Sequence, residues 1–515
     1  MKTMNRTIID FLNEQAAGSA SGNGHISFHM PGHKGRATIY EKTGYSDFLR
    51  NIMACDITEI PGADALFCPE TTLKAVMDNY AELYGVLHTE LLVNGSSAGV
   101  ISAIIGSVPI GGKLILGRNS HHSAFSALRL GGINPVYLRP EIDTEFNLVS
   151  EITPEELSDA CKANPDASAV LITSPNYYGV MSDIAQLARI AHDHGMILIV
   201  DQAHGAHLRF FDYEAAAMRA EGIYIRHASH SAEALGADIV INSTHKTLLS
   251  FTGSGILNIC SERVNVASVT ETLRMLQTTS PSYLLMGSLD INEHIMRTYW
   301  QTIIRNWRSD LTRFYRRAAH INGLTVVGGR QAVRAAKLAD AEEAVSDFAM
   351  YHERTGLDLT KINISMAELG LSGEQLDREL RHRGIISEMV HGEFVMLMTG
   401  AGNIGSDYDI LLENLKEISD NYAIGGIVDR APASIPDFEL EAAEVPSEGE
   451  YVPLYKSDGR VLYDPVIVYP PGTPIACPGE VITLEVIYFI SDAIERGEKV
   501  TGVDEEGMIK VGTGY

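Results

Sequence analysis

The sequence predicts an α/β fold in which a mostly parallel β-sheet forms a large domain, followed by a smaller α+β domain and a C-terminal domain. Three observations carry this expectation. From about residue 88 to 260, short apolar runs alternate with helical patterns, as expected of strands buried on both faces and joined by crossover helices. At 515 residues the chain exceeds what a single core serves. Beyond residue 300 the alternation yields to long helical patterns, mixed strands and a proline-rich tail. The expected segments are 1–30 as an N-terminal arm, 31–300 as the large domain, 301–425 as the small domain and 426–515 as the C-terminal domain.

The elements follow in chain order. Ile8, Phe11 and Leu12 give a helical rhythm before a Gly/Ser stretch, without the continuous apolar core of a signal peptide. "HTELLVNGSSAGVISAIIGSV" reads as strand, turn and helix, and "KLILGRNSHHSAFSALRLGG" repeats it. "AVLITSPNYYGV", "MILIVDQAHGAH" and "ADIVINSTHK" continue the style. Each of these five strands ends in polar residues: Asn94 to Ser97, Arg118 to Ser123, Ser174 to Tyr178, Asp201 to His207, and Ser243 to Lys246. In parallel sheets chemistry gathers beyond the carboxyl ends of the strands, so the five clusters are expected on one edge. "SYLLMGSLDINEHIMRTYWQTIIRNWRSDLTRFYRRAAHI" predicts one or two long helices, and "LSGEQLDRELRHRG" and "EFVMLMTGAGN" a helix and a strand of the small domain. A loop, "DRAPASIPDFELEAAEVPSEGE", leads to the last segment, where Pro470, Pro471, Pro474 and Pro478 fix an extended path.

Composition narrows the function. The formal charge of -26, from 40 Lys and Arg against 66 Asp and Glu, has no densely basic segment within it. Nucleic acid and anionic membranes are therefore poor partners, whereas a small cationic molecule suits the field. The longest greasy region, "AGVISAIIGSVPIGGKLILG", is broken by Pro109 and glycines short of a membrane span. Five scattered cysteines without C-x-x-C spacing suit a reduced compartment, so a cytoplasmic protein without structural zinc is expected.

Lys246, in "DIVINSTHKTLLSFTGSGIL", stands between two apolar stretches. A lysine there either snorkels to the surface or is a buried, nucleophilic amine able to form a Schiff base. An aldehyde cofactor such as pyridoxal phosphate requires an anchoring amine, an acid for its ring nitrogen, donors for its phosphate and a flat group against its ring. Lys246 supplies the first, and Asp201, ending "MILIVD", the second. Ser96 and Ser97, with Ala98 in the same turn, follow Gly95 at an expected helix start that favours an anion. His121 and His122 follow another strand, and the small Ala203 lets the opposite ring face pack closely. Singly, Asp201 reads equally as a cap, the serines as caps and the histidine as a structural residue. Their concentration on one edge favours the site.

The chain resembles the group III basic amino acid decarboxylases, which act on ornithine, lysine or arginine. The stretches that match are "FHMPGHKGR", "CDITEIPGADALFCPE", "RNSHHS", "SPNYYGVMSDI", "DQAHGAH", "STHKTL", "TTSPSYLL", "RGIISEM" and "YPPGTPIACPGEVIT", in order across residues 28 to 482. The resemblance implies fold type I, the aspartate aminotransferase-like fold of pyridoxal 5'-phosphate enzymes, and decarboxylation of a basic amino acid. Arginine to agmatine is favoured over lysine to cadaverine or ornithine to putrescine. It implies Lys246 as the cofactor-anchoring lysine, Asp201 as the ring-nitrogen partner, His121 as the stacking residue with Ala203 opposite, and His204 beside the reacting carbon. Ser97, Ser243 and His245 match phosphate contacts, Thr278 matches one supplied by a neighbouring subunit, and Glu388 falls where the family places an acid near the substrate's distal cation. A homodimer or higher homo-oligomer with interfacial sites is implied, without the N-terminal wing of the larger relatives. Asp56, Glu59, Asp64 and Glu70 are further candidate acids. "EFVMLMTGAGN" holds no Arg to clamp a substrate carboxylate, which tilts the expectation from transamination to decarboxylation.

Two departures stand out: Gln202, where relatives commonly read Glu, and Gly253, where they commonly place Gln. They motivate the alternative of a cofactor-binding protein with another reaction, or a regulatory paralogue. "GAGNIG" at 400 to 405 offers a dinucleotide-binding reading, but no βαβ unit follows it. A metal hydrolase on His204 and His207 lacks H-E-x-x-H spacing, and no metal is expected.

Overall fold

The computed structural model describes residues 25–143, 146, 148–222, 229–328, 350–351, 356–422, 440–469 and 474–513, with positions 8–9, 11–13 and 16 of the N-terminal arm. The expected Gly/Ser stretch at 17–24, Pro470, Pro471 and residues 429–439 of the loop from 429 to 450 lie outside the described residues. Those of the arm are helical, with Ile8, Phe11 and Leu12 exposed.

Seven strands form the central sheet: β1 (His88–Leu92), β2 (Lys113–Gly117), β3 (Asn134–Leu138), β4 (Ala167–Thr173), β5 (Ile197–Asp201), β6 (Ile239–Asn242) and β7 (Gly255–Ile259). Their order is β1-β7-β6-β5-β4-β2-β3. Only β7 runs against its neighbours; the other pairs are parallel. Because β1 is antiparallel to β7, and β7 to β6, the carboxyl ends of β1, β2, β4, β5 and β6 share one edge. The five polar clusters are therefore brought together as the pattern predicts.

Helix formation follows burial and capping. Helix α1 (Thr72–Tyr84) buries Leu73, Met77, Tyr80 and Tyr84. Helix α2 (Gly95–Ser107), apolar nearly all round, lies between the sheet and α6 (Val266–Leu276). At Gly106 a Cβ would come 2.6 Å from the Val269 Cα, so glycine permits that close approach. Helix α3 (His122–Gly131) follows β2, α4 (Leu208–Ala220) follows β5, and one short turn, α5 (Thr244–Thr247), follows β6. The long pattern after residue 282 is one 36-residue helix, α7 (Tyr283–Ala318), started by Ser282 accepting the Leu285 N–H. Its buried Trp307, Leu311, Phe314 and Tyr315 join the core shared by the large sheet's helices and the next sheet.

That next sheet orders β8 (Thr325–Val326), β9 (Lys361–Ser365), β11 (Phe394–Met398) and β10 (Met389–His391), all antiparallel. Helix α8 (Gly405–Asn421) packs against α7. The last segment pairs β12 (Gly449–Pro453) with β16 (Met508–Gly512), and β13 (Val466–Tyr469) with β14 (Pro474–Ala476) and β15 (Lys499–Thr501). Helix α9 (Leu484–Glu495) covers their apolar face.

"GAGNIG" has a structural task that replaces the dinucleotide reading. Ala401 N–H donates to the Thr247 carbonyl at 2.9 Å, and Gly402 N–H to the Gly32 carbonyl at 2.9 Å. Gly32 N–H in turn donates to the His245 carbonyl at 2.7 Å. A Cβ at Gly400 would sit 2.8 Å from the Gly32 Cα, so these glycines let three backbones meet beside Lys246. Arg36 closes the junction with two 2.6 Å bonds to the Asp407 carboxylate.

Candidate active site

Lys246 does not snorkel. It sits in α5 at the carboxyl edge of β6, and its Nζ lies 3.0 Å from His204 Nε2. Burial lowers the Lys246 pKa; Asp201 and Glu388 oppose that shift and the ammonium of Lys361 adds to it. His204 is itself buried, which pushes its pKa well down, and Lys246, Lys361 and His121 reinforce the effect while Asp358 opposes it. A neutral imidazole thus faces an amine that gives up its proton readily. Among the described residues no partner meets His204 Nδ1, and the Tyr177 ring packs 4.4 Å from its ring centre.

Asp201 ends β5, buried, and accepts the Ala203 N–H at 3.1 Å. The carboxylate is near enough to His121 to resist the fall in that residue's pKa, which burial drives and Lys246 and His122 deepen. His121 caps α3: its Nδ1 accepts the Ser123 N–H at 3.2 Å, which fixes the ring's tilt at the strand end.

The first turn of α2 suits an anion. Gly95 opens it in the left-handed region (φ 76°), its N–H donating to the Gly253 carbonyl, and the Asn94 side chain does not cap it. Ser243 Oγ donates to Ser96 Oγ at 2.8 Å, Ser97 lies half-buried in the same turn, and Ala98 is buried behind it. His245 Nδ1 donates to the Ser254 carbonyl at 2.6 Å, and burial lowers its pKa. Free N–H groups at the start of a 13-residue helix, a serine hydroxyl and an imidazole form a fitting cradle for a phosphate. With Lys246 and Asp201 across the same edge, the residues present fit pyridoxal 5'-phosphate. Thr278 is exposed, just past α6, next to Gln277, whose Oε1 accepts the Val93 N–H at 2.7 Å.

Glu388 takes a position the local sequence does not foretell. Its Oε2 accepts the Met30 N–H at 2.8 Å, so the small domain and the N-terminal loop hold it within electrostatic range of Lys246. Of the other candidate acids, Asp56, Glu59 and Glu70 are exposed. Asp64 is corrected to a structural role. Burial alone would raise its pKa, yet bonds from the N–H groups of Glu70, Thr71, Leu73 and Ala65 bring it down to about 2. It anchors the approach to α1.

The two departures also find physical causes. Gln202 spends its side chain inside the sheet, donating to Glu233 Oε2 at 2.9 Å and Asn242 Oδ1 at 3.0 Å while accepting the Ala232 N–H at 2.7 Å. Glu233 supplies the carboxylate, so a neutral amide is required at 202. Gln202→Glu would set two carboxylates together, and the introduced acid would keep its proton above the usual range of about 4.3. The folded state would then bind more protons than the unfolded chain, so stability falls as pH rises through that window. A loss of about 1–3 kcal/mol at pH 7, recovered near pH 4, is expected in denaturant titrations. At Gly253 a Cβ would meet no described residue within 4 Å, but its φ of 91° strains any side chain there.

Sequence reasoning missed Tyr177 and Lys361. Tyr177 stands in a polar cluster already noted, whereas Lys361 lies on a distant strand and carries no local signal.

A mostly parallel sheet with a half-buried lysine and a buried aspartate on its carboxyl edge, beside an uncapped helix start, defines an enzyme of the aspartate aminotransferase-like fold. The Orn/Lys/Arg decarboxylase major domain matches residues 18–405 and the Orn/Lys/Arg decarboxylase C-terminal domain matches 434–508. The chain belongs to the Orn/Lys/Arg decarboxylase family and is a basic amino acid decarboxylase. It is 31% identical to an arginine decarboxylase of Bacillus subtilis (strain 168), over 94% of this chain and 93% of that protein. It is 22% identical to the lysine decarboxylase LdcA of Pseudomonas aeruginosa, over 89% of this chain and 72% of the relative. Among solved structures, lysine decarboxylase A from Pseudomonas aeruginosa superposes with a TM-score of 0.73 at 19% identity, covering 98% of this chain and 80% of that one. No helix among the described residues is long and apolar enough to cross a membrane.

Proposed function

We propose that this chain decarboxylates arginine to agmatine, with pyridoxal 5'-phosphate as its cofactor. The observation that carries the reading is the half-buried Lys246, whose amine lies 3.0 Å from a neutral His204 on the strand edge that also holds Asp201. The likeness to arginine decarboxylases over more than nine-tenths of both chains supports arginine as substrate. When bound, the cofactor supplies an aldehyde that condenses with amines and a ring that takes up the electron pair left by departing carbon dioxide.

The chain's own residues do the rest. Lys246 would hold the aldehyde, and its depressed pKa suits that role by leaving more free, nucleophilic amine near neutrality. Asp201 would hold a proton at the ring nitrogen, with His121 and Ala203 as the residues to either side of the ring. Ser96, Ser97, Ala98, Ser243 and His245 would hold the phosphate, whose charge would favour a second proton on His245. Glu388 attracts the substrate's guanidinium. His204 exchanges a proton with Lys246 Nζ, so that the ammonium can protonate the substrate carbon once carbon dioxide has left. Burial keeps water from the substrate carboxylate, which favours its charge-dispersed departure.

In the family resemblance Thr278 meets the phosphate of a neighbouring subunit, and on that reading the working form is a homodimer or larger assembly. The segment boundaries at residues 30, 300 and 425 and a cytoplasmic setting belong to the same reading. The test is to incubate the protein with pyridoxal 5'-phosphate and arginine, lysine or ornithine, following carbon dioxide and the amine formed. Agmatine is expected as the dominant product. Faster release from lysine or ornithine would overturn the substrate, and cofactor binding without carbon dioxide release would overturn the reaction.

A further inference from the structure

Behind His204 lies a cluster of buried charges that the mechanism above does not use. Lys361, at the start of β9, is completely buried, and its ammonium donates to the His204 carbonyl, to Asp358 Oδ2 at 2.6 Å and to Thr360 Oγ1 at 3.2 Å. Asp358 also faces His207 Nε2 at 3.1 Å, and Thr360 Oγ1 lies 3.2 Å from the same nitrogen. All these side chains are under 5% exposed. Ion pairs so deeply buried rarely add stability over apolar residues of similar size, so such a pair calls for another explanation.

We propose that Lys361 is a positioning residue for decarboxylation, pinning the turn after β5 through the His204 carbonyl and so holding the His204 imidazole against the Lys246 amine. The geometry favours this over a purely structural role because the bond crosses from the small domain's strand to the residue that touches Lys246. The turn is held on either side of His204, by Gln202 N–H donating to the Ile241 carbonyl at 2.9 Å and by Tyr84 Oη donating to the Ala206 carbonyl at 2.8 Å, and Lys361 is the side chain that holds the His204 carbonyl itself. A shift of about 1 Å at such a point costs up to about a hundredfold in rate.

Charge works in the same direction. Burial opposes ionisation of Asp358, but Lys361 and His207 outweigh it and hold the carboxyl well below the usual range. The pair is therefore an ammonium and a carboxylate, with the ammonium on the side of the site. The groups facing Lys246 are Asp201 and Glu388, which favour its charged form, and Lys361 and His204; those facing His204 are Lys246, Lys361, His121 and Asp358. Burial pulls the Lys361 pKa down while Asp358 holds it up, and the charged amine so sustained acts on both partners of the proton exchange.

The inference rests on the decarboxylase reading, and its test separates the two. Lys361→Met strands Asp358, so the deciding variant is Lys361→Met with Asp358→Asn, which removes both buried charges together. In the holoenzyme, kcat is expected to fall about tenfold to a hundredfold with KM within about threefold. In cofactor-free protein, the pH midpoint for labelling Lys246 with an amine-selective reagent is expected to rise, because of the two charges removed it is Lys361, not Asp358, that acts on Lys246. This second measurement stands even if the wild type proves inactive on arginine. A folded double variant with wild-type kcat and an unmoved midpoint would overturn the proposal. Failure of the double variant to fold would overturn it too, by making the pair a structural element.

Discussion

Replacing Lys246 by alanine is expected to lower kcat by about ten-thousandfold or more, the upper end of what a positioned proton-transfer group contributes. The same variant should retain no borohydride-fixed cofactor, read by mass spectrometry of the intact chain. Lys246→Arg should fail equally, since a guanidinium does not release its proton near neutrality. Neither loss should come from unfolding. The native chain holds the Lys246 amine in a site that disfavours its charge, so its pKa is lower folded than unfolded. Below the unfolded value the unfolded chain binds more protons at this position, which weakens folding, and the penalty fades only as pH rises toward that value. Lys246→Ala removes the penalty and should melt no lower than the wild type at pH 7. A variant that kept more than about one-tenth of the wild-type kcat would sink the assignment of this amine.

Glu480→Ala is expected to cost about 3–5 kcal/mol, the largest stability effect anticipated for a single substitution here. Arg118, just past β2, donates from Nη1 to Glu480 Oε1 at 2.5 Å and from Nη2 to Glu480 Oε2 at 2.9 Å, with a further 3.0 Å bond to the Ile475 carbonyl. Both side chains are under 10% exposed, and Glu480 Oε2 also accepts the Cys477 N–H at 2.7 Å. Truncating the acid leaves a guanidinium buried against the C-terminal segment, three residues before His121. Denaturant titration should show the loss, and Arg118→Met with Glu480→Leu should recover most of it by replacing the pair with apolar groups. Cofactor affinity should weaken with Glu480→Ala, because the loop that carries His121 loses its fixed end. A Glu480→Ala protein within about 1 kcal/mol of wild type would refute the argument, since exposed pairs alone are worth so little.

The large domain was legible because its signals are local. Each parallel strand is a short apolar run, each is followed by a polar cluster, and topology alone puts those clusters on one edge. Lys246, Asp201 and His121 could therefore be named as candidates from position, whereas His204 came from the family resemblance. Asp64 was misread as a possible substrate acid, because four backbone N–H groups converging on one carboxylate leave no trace in the residue order. Gln202 looked like a change at the reactive centre, yet its meaning depends on Glu233, thirty-one residues on, which meets it across the sheet.

The sequence by itself determined the fold class, through strand periodicity, and the family, through its matching stretches, and it singled out Lys246 as the candidate reactive amine, since these are properties of contiguous chain. Only tertiary structure decided which neighbours govern that lysine's proton. Lys361 and Glu388 come from the small domain, and the glycines at 32, 400 and 402 close a junction that brings those segments to its side. The reason is physical. A pKa reflects burial and the charges a few ångströms away, and those are fixed by packing between segments far apart along the chain.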